Sequence, residues 1–114
     1  LRQLESYGAP FVVLTDGARG AWFAGSRAET SGDSYLPAFP VDAIDPTGAG
    51  DAFTAALIAR LLAAGWRRLT RDDVRFASAA GALATTRRGA MEALPTPDDI
   101  AALLAQDQKL SSKL

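Results

Sequence analysis

Hydrophobic positions along the chain change from short continuous runs in the first part to helical intervals in the rest. Residues 1–7 have the spacing of a helix end. The run 11–15 is apolar and rich in β-branched residues, which is typical of a strand buried on both faces of a parallel sheet. A glycine-containing turn at 16–20 and a short apolar run at 21–24 complete a predicted hairpin. The segment 35–44 contains two prolines, so we expect it to be extended and to lie at a sheet edge.

Three helices are predicted in the remainder of the chain. The first covers about 50–64 and stops before a glycine that suits a left-handed helix end. The second begins at Thr70, which forms a capping-box pattern with the Asp three positions later, and is closed by Gly89. The third has Thr96 as its N-cap and a proline in its first position. The polar tail 107–114 is expected to fray.

Strands followed by helices predict an α/β fold, but such a sheet needs more strands than this sequence offers. The 114 residues suit one small domain or part of a larger one. We therefore treat 1–114 as a single unit and expect it to be a segment of a larger domain.

The amino-acid composition excludes several classes of protein and several kinds of catalytic group. The chain is 48% hydrophobic with a net charge of −1, which indicates a globular protein without a basic surface for nucleic acid. No apolar run reaches the length of about 18 residues that a membrane span needs, and no secretory signal is evident, so we expect a cytoplasmic location. The sequence has no cysteine and no histidine, which excludes disulfides, thiol nucleophiles, imidazole bases and the usual zinc sites from these residues.

The segment 45–51 (Asp-Pro-Thr-Gly-Ala-Gly-Asp) carries the candidate chemistry, because it leads directly into an apolar helix. Gly48 and Gly50 allow a tight turn and a close approach of the backbone to a ligand. Free N–H groups and the positive dipole end of the helix favour an anion there, and Asp51 could accept a proton at the same point. An anion cradle beside a base is what phosphoryl transfer to an alcohol requires. The structural alternatives are a tight turn between strand and helix, and a carboxylate that stabilises the helix N-terminus.

Four landmarks resemble, in their order along the chain, the C-terminal part of the ribokinase-like sugar kinase family, also called the PfkB family. They are the runs 12–20, 45–53 and 76–80, and the pair 88–90 and 94–96. The resemblance covers nearly the whole chain. It implies a three-layer α/β/α fold, of which these residues are the C-terminal, nucleotide-binding part. It also implies an ATP-dependent kinase of sugars, nucleosides or related alcohols.

The resemblance implies a role for the glycine-rich segment in phosphoryl transfer. Asp51 would be the catalytic base that faces the acceptor hydroxyl, and backbone amides would form the hole for the transferring group. These amides belong to Gly48, Ala49, Gly50 and Asp51.

Nucleotide and cation sites are implied in the same way. Thr15 and Gly17 would lie by the ribose and phosphates of ATP, while Ser78 and the chain near Gly81 would border the adenine. Many members of the family bind a monovalent cation behind the anion hole, and the matching oxygen donors here are consistent with potassium. These donors are the Asp45 side chain and the backbone carbonyls of Thr47, Ala84 and Gly89. The structural alternative for Asp45 is a side chain that caps its own turn.

Departures from the family pattern limit which residue roles the resemblance implies for this chain. Pro46 stands where Thr is most common, and Ser78 stands where Asn is common, which puts a side-chain contact to adenine in doubt. The glycine-pair motif, the lid, most sugar-contacting residues and the Asn-x-x-Glu magnesium motif of the N-terminal half are absent from these residues. A magnesium ligand therefore cannot be located in this sequence, although the reaction uses Mg²⁺.

The leading hypothesis is an ATP-dependent sugar kinase. Its substrate is expected to be fructose or a related ketose or keto-sugar acid, because the runs 81–90 and 93–96 most resemble fructokinases. A nucleoside kinase is the nearest rival. A hypothesis of another class is a truncated or inactive nucleotide-binding fragment that needs a partner polypeptide. The expected partners are a small-molecule sugar, the missing N-terminal half of the kinase and, in a homodimer, a second copy.

Overall fold

A small antiparallel sheet packs against helices in the computed structural model, which describes residues 2–28, 34–41, 43–86 and 95–112. The segment between the first two strands contains a short 3₁₀ turn, Gly17–Arg19. The elements, in chain order, are α1 (Arg2–Glu5), β1 (Val12–Thr15), β2 (Ala21–Ala24), β3 (Ser34–Leu36), α2 (Ala49–Ala63), α3 (Arg71–Ala84) and α4 (Pro97–Ser112).

The sheet has the order β1-β2-β3, with both pairs antiparallel. The predicted hairpin is confirmed, and its register places Leu14 opposite Trp22 and Trp22 opposite Tyr35. The rings of Trp22 and Tyr35 lie 4.9 Å apart, so this face carries an aromatic pair.

The predicted surroundings of β1 differ from those in the structure. The apolar run indicated a strand buried on both faces of a parallel sheet, whereas β1 pairs antiparallel with β2 and Leu14 is 47% exposed. The reason is that β1 has only one neighbouring strand among the described residues.

The extended segment after β2 contributes less to the sheet than the sequence indicated. β3 ends at Leu36, and residues 37–41, 43 and 44 form no strand. Pro37 and Pro40 lack the N–H group that a ladder requires, which accounts for the early end.

Two clusters of apolar side chains form the core. One joins β2 to the facing sides of α2 and α3, and the other joins Phe39 to α3 and α4. The members buried in the first cluster are Ala21, Phe23, Phe53, Leu61, Leu69, Val74 and Ala77.

The helix termini follow the sequence signals closely. Thr70 and Asp73 form a complete capping box at α3, and Thr96 exchanges the equivalent hydrogen bonds with Asp99 at α4. The turn that ends α2 has Gly65 in the left-handed region at φ 70°, as predicted.

Two helix ends differ from the sequence prediction or fall outside the described residues. α3 ends at Ala84, and Gly89, its predicted stop, lies outside the described residues. α4 continues to Ser112, through much of the tail that we expected to fray. Its Asp107 carboxylate accepts a hydrogen bond of 2.6 Å from Arg75 of α3, which holds this part of the helix to the core. None of the described helices has the length and apolarity required to cross a membrane.

Candidate active site

The glycine-rich segment forms a tight turn immediately before α2. Gly48 is the N-cap residue and has φ 83° and ψ 0°, in the left-handed region that glycine adopts without strain. The N–H of Ala49 donates to the carbonyl of Pro46 at 3.2 Å, and the N–H of Ala52 donates to the carbonyl of Gly48 at 2.9 Å. The turn thus brings the chain from the extended segment directly into the helix.

Three of the four amides predicted to bind the phosphoryl group have no partner in the part of the chain that the structure describes. Among the described residues, no acceptor meets the N–H groups of Gly48, Gly50 or Asp51, whereas Ala49 is engaged by Pro46. A Cβ built on Gly50 would meet no atom within 4 Å beyond its immediate surroundings in the chain, so the space beside this glycine is open. Donors at the positive end of a 15-residue helix favour an anion.

Asp51 lies in the first turn of α2 and is exposed. None of the lysine or arginine side chains in the described part of the chain forms an ion pair with its carboxylate. The carboxylate is therefore accessible to a hydroxyl group that approaches the same helix end, as a general base requires.

Asp45 organises the turn through its own side chain. Its Oδ1 accepts a hydrogen bond of 2.9 Å from the N–H of Thr47, which is the capping interaction named as the structural alternative. The N–H groups of Ile44 and Asp45 both donate to the carbonyl of Thr85, at 2.6 and 2.9 Å. These two hydrogen bonds fix the segment before the turn to the C-terminal end of α3.

The oxygen donors near this junction suit a cation. No described residue donates to the carbonyl of Ala84, which lies at the negative end of the α3 dipole, and the carboxylate of Asp45 is on the adjoining segment. Carboxylate and carbonyl oxygens are the ligands that hard cations prefer. Gly89, the fourth predicted donor, lies outside the described residues.

The predicted nucleotide residues lie in two places. Thr15 ends β1 and Gly17 opens the following 3₁₀ turn, and both are exposed and accessible to a ligand. Ser78 is half-buried on α3, one turn before Gly81. Gly81 is buried, and a Cβ at this position would lie 3.2 Å from the carbonyl oxygen of Ala49.

The contact between Gly81 and Ala49 was not predicted from the sequence. It places α3 directly against the first turn of α2, so that Gly81 supports the candidate cradle from behind. The signal for it was the row of small residues Ala77, Gly81 and Ala84 at helical spacing, which is typical of closely packed helices. The Thr85 carbonyl was also missed, because backbone acceptors have no sequence signature.

A metal site built from side chains would require several His, Asp, Glu or Cys groups close together in the described part of the chain. That part of the chain contains no group of three or more His, Asp, Glu or Cys side chains arranged to hold a metal ion.

Comparison with protein families and curated proteins identifies relatives of the whole segment. Residues 1–97 match the family described as pfkB family carbohydrate kinase. The chain is 37% identical over 109 residues to a fructokinase of Vibrio alginolyticus, covering 93% of this chain and 34% of the relative. It is 38% identical over 104 residues to the aminoimidazole riboside kinase of Salmonella typhimurium, covering 90% of this chain and 31% of the relative. It thus spans about a third of the length of these proteins.

Solved structures of kinases are also similar to most of this chain. A fructokinase double mutant from Vibrio cholerae, crystallised with fructose, ADP and a potassium ion, matches with a TM-score of 0.77 at 38% identity, over 90% of this chain and 33% of that one. A ribokinase from Thermotoga maritima matches with a TM-score of 0.76 at 28% identity, over 91% of this chain and 33% of that one. The expected ribokinase-like α/β fold is confirmed by these similarities.

Proposed function

The chain belongs to the pfkB family of carbohydrate kinases, and we propose that it supplies the phosphoryl-binding part of an ATP-dependent sugar kinase. One observation carries the proposal: the first turn of α2 combines open space at Gly50, amides without acceptors among the described residues, and the exposed carboxylate of Asp51. Together they form an anion cradle beside a base.

In the proposed reaction, Asp51 accepts the proton of a sugar hydroxyl while that oxygen attacks the γ-phosphorus of ATP. The bond between the γ-phosphorus and the bridging oxygen breaks, and ADP leaves with the electron pair. The amides of Gly48, Gly50 and Asp51 donate to the γ-phosphoryl oxygens. The amide of Ala49 also donates to them once its hydrogen bond to the carbonyl of Pro46 is broken. Donors fixed in advance stabilise the charge that develops on these oxygens.

We assign the nucleotide to the surface that Thr15 and Gly17 expose, with Ser78 and the chain near Gly81 towards the adenine. Support comes from the exposure of the first two residues and from the closeness of Gly81 to the cradle. Mg²⁺, when bound to ATP, supplies further neutralisation of phosphate charge, and its protein ligands belong to the remaining part of the kinase.

A monovalent cation, with potassium as the candidate, is proposed to bind between Asp45, Thr47, Ala84 and Gly89. The carboxylate of Asp45 and the carbonyl of Ala84, to which no described residue donates, are the donors that fit in the described part of the chain. The potassium ion of the Vibrio cholerae fructokinase supports the choice of ion. Asp45 and its hydrogen bond to Thr47 would keep the turn before the cradle in place.

Fructose is the proposed substrate, because fructokinases are among the relatives in sequence and in structure. A nucleoside-like acceptor is the second candidate, favoured by the similarity to aminoimidazole riboside kinase. Because the chain spans 34% of its fructokinase relative, the remaining two thirds must supply most of the acceptor site. The proposed setting is the cytoplasm.

The test joins the 114-residue chain to the other two thirds of the Vibrio alginolyticus fructokinase, in place of the matching third. Release of ADP is measured over a panel of sugars and nucleosides, with and without potassium. We expect ADP release that depends on a sugar acceptor and is stimulated by potassium, which tests the phosphoryl and cation sites of this chain. If the chimaera folds and binds ATP but phosphorylates none of the panel, the alternative of an inactive nucleotide-binding fragment is favoured.

Asp51→Asn in this chimaera should lower kcat by about 10²–10⁴-fold, because the amide cannot accept the proton, while the affinity for ATP stays nearly unchanged. The matched control is Asp72→Asn, which removes an exposed carboxylate from the first turn of α3 instead. Equal turnover in the two variants would remove Asp51 from the role of base.

A further inference from the structure

The loop that joins β1 to β2 is closed by hydrogen bonds of its own backbone. The N–H of Asp16 donates to the carbonyl of Gly20 at 2.9 Å, and the N–H of Arg19 donates to the carbonyl of Asp16 at 2.8 Å. No acceptor in the described part of the chain meets the N–H groups of Gly17 and Ala18. Two successive backbone donors of this kind can bind the oxygens of an anion.

β3 holds this loop from outside the hairpin. The hydroxyl of Tyr35 donates a hydrogen bond of 2.7 Å to the carbonyl of Arg19. The chain at Gly20 packs closely on the same strand, since a Cβ at this position would collide with the carbonyl oxygen of Leu36. The ion pair within the loop, between Asp16 and Arg19, is 3.7 Å long and exposed, so it contributes little. The shape of the loop therefore depends on its contacts with β3.

The strand register places Tyr35 where its hydroxyl can reach the loop. Tyr35 lies opposite Trp22, and the two rings pack with their centres 4.9 Å apart. The side chain of Tyr35 is 45% exposed, so its burial adds little to the core. A short hydrogen bond from an exposed side chain to the loop backbone is better explained by a role at the loop than by a role in folding.

We propose that Tyr35 is a positioning residue, whose hydroxyl holds the loop 16–20 in the shape that binds the phosphates of the nucleotide. The proposal rests on the proposed function, which assigns the nucleotide to the exposed surface at Gly17. Because the carbonyl of Arg19 is fixed, the amides of Gly17 and Ala18 keep their orientation before the nucleotide arrives. Donors that are ordered in advance lose less conformational entropy on binding.

Removal of the hydroxyl alone tests the proposal. Tyr35→Phe keeps the ring on Trp22 and loses the hydrogen bond, so the fold should be retained. Tyr7→Phe is the matched control, because it makes the same change at a residue that is 76% exposed and precedes β1. Both variants are made in the fructokinase chimaera. Hydrogen exchange of the loop 16–20 is followed by mass spectrometry without nucleotide, and the Kd for ADP is measured by isothermal titration calorimetry.

We expect Tyr35→Phe to accelerate exchange of the loop amides by about 3–10-fold and to raise the Kd for ADP by a similar factor, because one neutral hydrogen bond changes an equilibrium constant by up to about tenfold. The KM for the sugar should stay unchanged, whereas a general loss of structure would raise it as well. Tyr7→Phe should alter none of these quantities.

Faster exchange of the loop with an unchanged Kd for ADP would overturn the proposal, because the shape of the loop would then not matter to the nucleotide. Unchanged exchange would also overturn it, since Tyr35 would not hold the loop. If exchange is faster in Tyr35→Phe but the unsubstituted chimaera does not bind ADP, the result counts against the proposed function alone, because Tyr35 would still hold the loop.

Discussion

At the level of single residues, the two glycines of the turn have different physical roles. Gly48 is left-handed at φ 83°, whereas Gly50 is helical and has open space where a Cβ would stand. Gly48→Ala should therefore destabilise the protein by about 1–2 kcal/mol, the cost of a left-handed L-residue. Gly50→Ala should be neutral or stabilising by up to about 1 kcal/mol, since alanine is the better helix former.

Gly50→Ala should lower the rate of catalysis even though it does not destabilise the fold. The Cβ of Gly50→Ala would occupy the space proposed for the phosphoryl group, so we expect a fall in kcat without a loss of stability. Urea unfolding and ADP release by the chimaera measure the two effects. A Gly50→Ala protein with full activity would show that the phosphoryl group does not approach this amide.

The sequence predicted the structural roles of Gly48 and Gly50 better than it predicted the role of Gly81. The turn at Gly48 is encoded locally, by a glycine pair directly before an apolar helix. The contact of Gly81 with Ala49 depends on how closely α3 approaches α2, and that distance follows from packing along both helices. A single small residue cannot specify it.

At the level of elements, the N-terminus of α3 is tied to α2 by a buried carboxylate. Asp73 is 4% exposed, and its two oxygens accept hydrogen bonds of 3.0 Å from the N–H of Thr70 and 2.9 Å from Nε of Arg60. Burial alone would raise the pKa of Asp73, but these hydrogen bonds favour its charged form more strongly. The pKa of this carboxyl is therefore below its ordinary value.

This lowered pKa predicts an acid-dependent loss of stability. An Asp with a folded-state pKa below its unfolded value of about 3.9 stabilises the fold above that pH, and the contribution is lost as the pH falls through the folded value. Asp73→Asn should cost about 1–3 kcal/mol near neutral pH, where a charge-assisted hydrogen bond to Arg60 is removed. The difference from the unsubstituted protein should shrink below about pH 4.

Urea unfolding of both proteins over the acid range measures this effect. Asp72→Asn is the matched control, because Asp72 is exposed in the same turn. If the difference in free energy of unfolding between wild type and Asp73→Asn stays constant with pH, Asp73 acts through packing and not through its charge.

Helices were more predictable than strands for a physical reason. The capping signals at Thr70 and Thr96 are satisfied within a few residues, so the sequence determines where α3 and α4 begin. β1 and its hairpin with β2 were predicted correctly, but the burial of β1 on both faces of a parallel sheet was not, because burial depends on residues far away in the sequence. The extent of α4 was underestimated, since the bond between Asp107 and Arg75 joins residues far apart in sequence.

At the level of the whole molecule, the distribution of burial predicts which elements open first. Phe23, Val74 and Ala77 are fully buried where β2 and α3 meet, whereas half of β1 is exposed. Local opening is easiest where few apolar contacts must be broken. The chain should therefore have a stable centre in β2 and α3 and a weakly held border at β1.

Native-state hydrogen exchange of the isolated chain measures this gradient. Amides of α3 should exchange slowest and those of β1 at least about tenfold faster, which corresponds to a difference in opening free energy of about 1.4 kcal/mol. Residues 71–84 include the buried row that packs on α2, so their amides open only with the core. Exchange at a uniform rate in both elements would show that the chain opens as one cooperative unit, with β1 as firmly held as the helices.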